Sequence, residues 1–158
     1  MKNDRLVRDF FIFYVASLVF FAVGIITTLG LGWYGGLNTP VWAPPELFVA
    51  AIWGILFITT VISLSLFCDR QATFTKSLRN TVLMYMGNAL LILLWNYLFF
   101  GIHTLVLALW VAIAVGISVL IIILRVKNAS KMAAWLLAPY LVWVTYAVAI
   151  NYAVILMN

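Results

Sequence analysis

The sequence predicts an all-α fold, a polytopic membrane protein built as a five-transmembrane-helix bundle. Three observations predict it. Of 158 residues, 67% are hydrophobic and only 8% charged, with a mean hydropathy of +1.19, more apolar side chain than a soluble domain of this size can hide in a core. Apolar segments of about 20 residues, the length needed to cross hydrocarbon as a helix, recur along the chain. All nine Lys and Arg residues fall ahead of these segments or between them, in clusters on alternate connections.

The first helix is expected over 10–29, behind Lys2, Arg5 and Arg8. A basic lead before an apolar run also describes a signal peptide, but this run is too long for one and lacks a small-residue cleavage pattern, so it reads as a retained helix. The second helix is expected over 46–67, opened by Pro45 in its first turn. The third, fourth and fifth are expected over 80–99, 103–124 and 132–156. The connections at 30–45 and 68–79 are too short to fold alone, which makes residues 1–158 a single membrane domain.

Charge orients the bundle. With five spans, Lys2, Arg5 and Arg8 lie on the same side as Arg70, Lys76 and Arg79 and as Arg125, Lys127 and Lys131. The positive-inside rule makes that side cytoplasmic in a bacterial-type inner membrane, with the N-terminus inside and the C-terminus outside. The net charge of +5 is then a topology signal that also attracts anionic membrane lipid, and no basic face is left for nucleic acid. A lone Cys68 and a lone His103 make neither an internal disulfide nor, by themselves, a metal site.

The connection Trp33-Tyr34-Gly35-Gly36-Leu37-Asn38-Thr39-Pro40-Val41-Trp42-Ala43-Pro44-Pro45 is rich in aromatics and proline. Proline fixes φ and pushes the residue before it toward extended backbone, so Pro40, Pro44 and Pro45 leave this segment few conformations. It reads as a stiff lid over 30–45. The alternative is an interfacial aromatic belt in which Trp33, Tyr34 and Trp42 only mark the membrane surface.

Within the spans, three stripes stand out. Pro139, Trp143, Ala147 and Asn151 recur every four residues on helix 5; Asn88, Ile92, Trp95 and Phe99 share a face of helix 3; Ala50, Trp53 and Phe57 do so on helix 2. Pro139 removes the hydrogen bond to the Trp135 carbonyl and is expected to kink helix 5 beside Trp143. Such stripes line an aromatic pocket, or they fill an ordinary bundle in which Asn88 and Asn151 hydrogen-bond to neighbouring helices. Ala108, Ala112 and Gly116 on helix 4 form a small-residue face, expected to pack inside the bundle, with a homodimer contact as the alternative.

These residues resemble the TspO/peripheral benzodiazepine receptor family, the tryptophan-rich sensory or translocator proteins. WYGGLNTPVWAPP with IWG at 33–54, LLWNYLFFG at 93–101 and AAWLLAPYLVWVTYAVAINY at 133–152 carry the likeness. The resemblance implies five helices around a pocket that binds porphyrin, haem and synthetic isoquinoline or benzodiazepine-type ligands. By resemblance its ligand-binding residues are Tyr34, Pro40, Trp42, Trp53, Asn88, Trp95, Trp143 and Ala147, under a lid with Trp33, Pro44 and Pro45. Some bacterial members are reported to degrade porphyrin in light, and a tryptophan pair there matches Trp53 and Trp143, the two catalytic candidates. The chain departs from the pattern in three places. Ile92 stands where a second Asn is common, Glu46 stands where many members carry Arg, and no basic residue follows Tyr152, so the animal sterol motif is not inferred. Looser matches from Arg8 or Arg79 have pattern weight alone.

Three functions follow from these readings. A tetrapyrrole-binding sensory or translocation-linked protein, with porphyrin or haem as ligand and no obligatory cofactor, is favoured, because the sequence holds no carboxylate dyad, nucleophile-base pair or phosphate loop. A light-dependent porphyrin-degrading enzyme is the alternative. A small-molecule or lipid transporter stands third, weakened by the lack of inverted repeats and of an intramembrane carboxylate.

Overall fold

The computed structural model describes residues 2–71 and 75–158, with side chains from Arg5 onward. Its elements are α1 (Lys2–Tyr34), α2 (Glu46–Asp69), α3 (Lys76–Asn96) running into a π-helical turn (Tyr97–Gly101), α4 (Leu105–Val126) and α5 (Lys131–Met157). All five helices are long and apolar enough to cross a membrane, and among the described residues there is no strand. The fold is the all-helical membrane bundle that composition and periodicity predict.

The helix limits differ from expectation mainly in α1, which is 33 residues long. Nothing in the polar lead breaks the helix, so the helical backbone begins at Lys2, and at the other end it continues through Gly30 and Gly32 to Tyr34. The lid therefore shrinks to residues 35–45, and Trp33 and Tyr34 belong to the last turn of α1. The Gly35 amide donates to the Leu31 carbonyl at 2.9 Å, and the Gly36 and Leu37 amides close the helix end by donating to the Trp33 and Tyr34 carbonyls at 3.0 Å. Pro45 takes the N-cap position of α2 rather than its first turn.

Side-chain oxygens cap two of the other starts. Thr75 accepts from the Leu78 amide and Ser130 from the Ala133 amide, each satisfying one of the orphan donors at a helix N-terminus. The cluster of basic residues lies at this end of the bundle. Arg8 of α1 donates to Asp69 of α2 at 2.8 Å, and Arg125 of α4 donates to Ser77 of α3 at 3.2 Å. Arg5, Arg70, Lys76, Arg79, Lys127 and Lys131 are exposed there.

Helices α2 to α5 share one apolar core, in which Leu56, Tyr85, Val115, Val119, Leu137, Tyr140 and Val144 are buried. The small-residue face of α4 is spent inside the bundle. Ala108 and Ala112 are buried, and a Cβ added at Gly116 would touch Val144 of α5 at 3.5 Å. Helix α1 is different. It leans on α2, α3 and the π turn, and Gly30 is its one buried residue among those described.

Two buried polar clusters tie the helices of the core together. The Ser63 hydroxyl donates to the Ala133 carbonyl at 2.7 Å and lies 2.8 Å from the Tyr85 hydroxyl, joining α2, α3 and α5. Tyr140 donates to the Asn88 side-chain oxygen at 2.9 Å, and the Asn88 amide nitrogen donates to Ser118 at 2.7 Å, joining α5, α3 and α4. Each group has its partner, so these clusters bind helix to helix and leave nothing over for a ligand.

Candidate functional site: an aromatic intramembrane cavity

Away from the basic end, α1, α2, α3, the π turn and α5 enclose a cavity of about 510 Å³. Its walls are largely apolar. Phe20, Val23 and Leu31 come from α1, Val49, Ala50 and Trp53 from α2, Ile92 and Trp95 from α3, Phe99 and Phe100 from the π turn, and Trp143, Ala147 and Ile150 from α5. Pro44 of the connection and Glu46 and Leu47 of α2 close the end nearest the 35–45 segment, opposite Tyr34.

The rings touch one another in a continuous belt. Trp53 lies 6.2 Å from Tyr140 in an edge-on contact and 6.4 Å from Trp95; Trp95 stacks on Phe99 at 5.6 Å. Tyr34 meets Phe99 and Phe100 at 5.9 and 5.8 Å. The π turn packs Phe99 and Phe100 edge to face at 4.9 Å, with both against the cavity. An extra residue in one helical turn shifts the side chains beyond it, and π turns of this kind gather at functional sites.

Among the described residues, five buried polar atoms have no hydrogen-bond partner: Trp95 Nε1, Asn96 Oδ1, Trp143 Nε1 and both Nδ2 and Oδ1 of Asn151. All belong to residues that line this one cavity. An unpaired buried polar group costs on the order of 1–3 kcal/mol, and these four residues gather around a single space.

The residues singled out from the sequence divide three ways. Tyr34, Trp53, Trp95, Trp143, Ala147 and Pro44 line the cavity. Pro40 is buried and Trp42 exposed, and neither lines it; Trp42 instead lies against Tyr146 of α5, whose hydroxyl donates to the Trp42 carbonyl at 2.7 Å. Pro45 caps α2, and Trp33 stacks on His103 at 4.0 Å, fastening α1 to the turn before α4. Asn88 does not line the cavity, since Tyr140 and Ser118 consume its amide. Asn96, Thr27, Thr28, Phe100 and Glu46 line it without having been named as site residues. Asn96 sits beside Trp95 in a run read as one apolar span, and only its neighbours in space reveal that it faces inward.

The 35–45 segment is pinned on its far side as well. The Asn38 amide donates to Asn158 Oδ1 at 2.9 Å, and Asn158 Nδ2 donates back to the Asn38 carbonyl at 2.9 Å, tying the connection to the end of α5.

Five spans, four of them lining an aromatic cavity, define an integral membrane protein with an internal cavity. The sequence model of the TspO/MBR family matches residues 11–157, and the chain belongs to that family. It is 25% identical to the tryptophan-rich protein TspO of Bacillus cereus over 158 residues, covering all of this chain and 99% of that one. It is 32% identical to the translocator protein of Sus scrofa over 125 residues, 79% of this chain and 74% of the other. The tryptophan-rich protein TspO of Archaeoglobus fulgidus is 32% identical over 126 residues, 80% of each chain.

Proposed function

We propose that the cavity binds a planar tetrapyrrole, and that the protein acts through that binding as a sensory or translocation-linked protein of the membrane. The observation that carries the reading is the pairing of a broad aromatic enclosure with unpaired buried donors and acceptors in its wall. Flat π-faces on Trp53, Trp95 and Trp143 suit a flat conjugated ligand, and about 510 Å³ falls in the range of small-molecule sites. Among the described residues no His, Cys or Met lines the cavity, and His103 is held against Trp33, which favours affinity through the macrocycle over an iron–imidazole bond. The family supports the same reading by resemblance. With the basic end taken as cytoplasmic, the cavity lies in the outer half of an inner membrane, and Pro44 of the 35–45 segment borders it from outside.

Titration of the purified protein with protoporphyrin IX tests this. A shifted Soret band is expected, and Trp53→Leu and Trp143→Leu should each weaken binding about fivefold, the value of roughly 1 kcal/mol of lost aromatic contact. Unchanged affinity in both variants removes the cavity from the reading. Repeating the titration under illumination separates binding from chemistry: bleaching that requires Trp53 or Trp143 would mark the degradative alternative.

A further inference from the structure

The unpaired atoms in the wall say what kind of polar group the ligand must carry. Asn96 is fully buried, and its amide nitrogen is committed to the Thr27 hydroxyl at 2.7 Å, which leaves Oδ1 as a free acceptor. Asn151 is 1% exposed and has both Nδ2 and Oδ1 free, a donor and an acceptor side by side. Two acceptors of this kind call for a ligand that donates, while Asn151 Nδ2 and the indole Nε1 of Trp95 and Trp143 are free donors that call for an acceptor beside it.

Charge narrows the class further. Among the described residues, no Lys or Arg lines the cavity, and Glu46 is the one ionisable carboxyl in its wall. A carboxylate brought inside would lose its hydration, meet no cation, face Glu46 and have no hydrogen to offer Asn96 or Asn151. A primary amide, a lactam or a carboxylic acid in its neutral form brings what is missing. Each places an N–H or O–H next to a carbonyl oxygen, the complement of the Asn151 amide.

Asn96 sits at the last residue of α3 and Asn151 on the last two turns of α5, so both lie near the 35–45 end of the cavity, while Trp53 and Trp143 lie deeper along their helices. A ligand with a flat apolar body and one polar edge would enter with the edge toward Asn96 and Asn151. Resting on the assignment of the cavity as a tetrapyrrole site, we infer that Asn96 and Asn151 form a specificity-determining subsite for an uncharged donor–acceptor group on one edge of the ligand, and that this subsite discriminates against carboxylates.

The test compares three forms of one macrocycle on the intact protein in nanodiscs: protoporphyrin IX diamide, its dimethyl ester and the free diacid at pH 8. The ester keeps a carbonyl acceptor and lacks the donor, so the diamide should bind about tenfold more tightly, as expected for one or two net hydrogen bonds made in a dry site. The ionised diacid should bind no better than the ester. In Asn151→Leu the advantage of the diamide over the ester should fall to about twofold or less. Thermal melting supplies a second readout that does not depend on ligand. Removing an unpaired buried amide should leave the ligand-free variant melting at or above the parent, whereas an amide needed for packing would lower it. Equal binding of diamide and ester to the parent protein overturns the subsite and leaves the tetrapyrrole reading standing. Discrimination retained in Asn151→Leu and in Asn96→Leu also overturns it, and binding of none of the three overturns both.

Discussion

Glu46 puts a carboxylate at the first turn of α2 and in the cavity wall together. For the helix this is favourable, since a negative charge near an N-terminus contributes about 0.3–1 kcal/mol against the macrodipole. For an anionic ligand it is a repulsive neighbour with no cation beside it in the wall. Glu46→Arg should therefore tighten binding of a dicarboxylate porphyrin several-fold at low ionic strength and change the dimethyl ester little. A salt series checks it, because the gain should fade as the Debye length contracts to about 10 Å and below. Equal gains for acid and ester would place the propionates away from Glu46. Single residues also show where sequence reading stops. Asn88 and Asn151 carry the same amide on stripes of the same period, and periodicity gives them the same two readings. Their difference is made by partners distant in sequence: Tyr140 and Ser118 close around Asn88, while among the described residues no side chain or backbone group bonds the Asn151 amide.

At the scale of elements, the contact between α1 and the π turn decides the shape of the cavity. A Cβ placed on Gly30 would lie 2.5 Å from the Phe100 carbonyl oxygen and 2.9 Å from its Cα, and backbone atoms cannot turn aside as a side-chain end can. In an isolated helix, Gly→Ala gains roughly 0.5–1 kcal/mol. Here overpacking, worth roughly 1–3 kcal/mol, opposes that gain and should win. Gly30→Ala is expected to lower thermal stability and to weaken porphyrin binding together, as α1 is pushed off Phe100. A variant that melts higher and binds normally would show that α1 yields without cost. The spans themselves were legible, because apolar length and basic clusters are local properties of the chain. The π turn was not, since one added residue in a helical turn leaves no mark on a pattern of apolar side chains. Nor was the extension of α1 through Gly30 and Gly32, because glycine reads as a breaker until a close approach such as that of Gly30 to Phe100 is known.

At the scale of the molecule, the bundle divides into a fastened part and a leaning one. Helices α2 to α5 share the apolar core and both satisfied polar clusters, while α1 is joined by Arg8 to Asp69 at one end, by Asn96 to Thr27 and Gly30 to Phe100 within, and by Trp33 to His103 at the other. Its 33 residues span about 50 Å, against a hydrocarbon layer of about 30 Å. Even with its charged first turns outside, a helix of this length fits a bilayer by tilting, and the tilt follows the thickness of the lipid around it. The wall formed by Phe20, Val23, Thr27 and Leu31 would turn with it. Tetrapyrrole affinity measured in vesicles of increasing acyl-chain length should therefore change steadily while the melting of the α2–α5 core stays nearly constant; a flat response would mean that α1 is held as firmly as the rest. The helix that forms one wall of the cavity is also the least buried of the five, so the fatty acids a cell puts into its membrane would become a setting on the shape of that cavity.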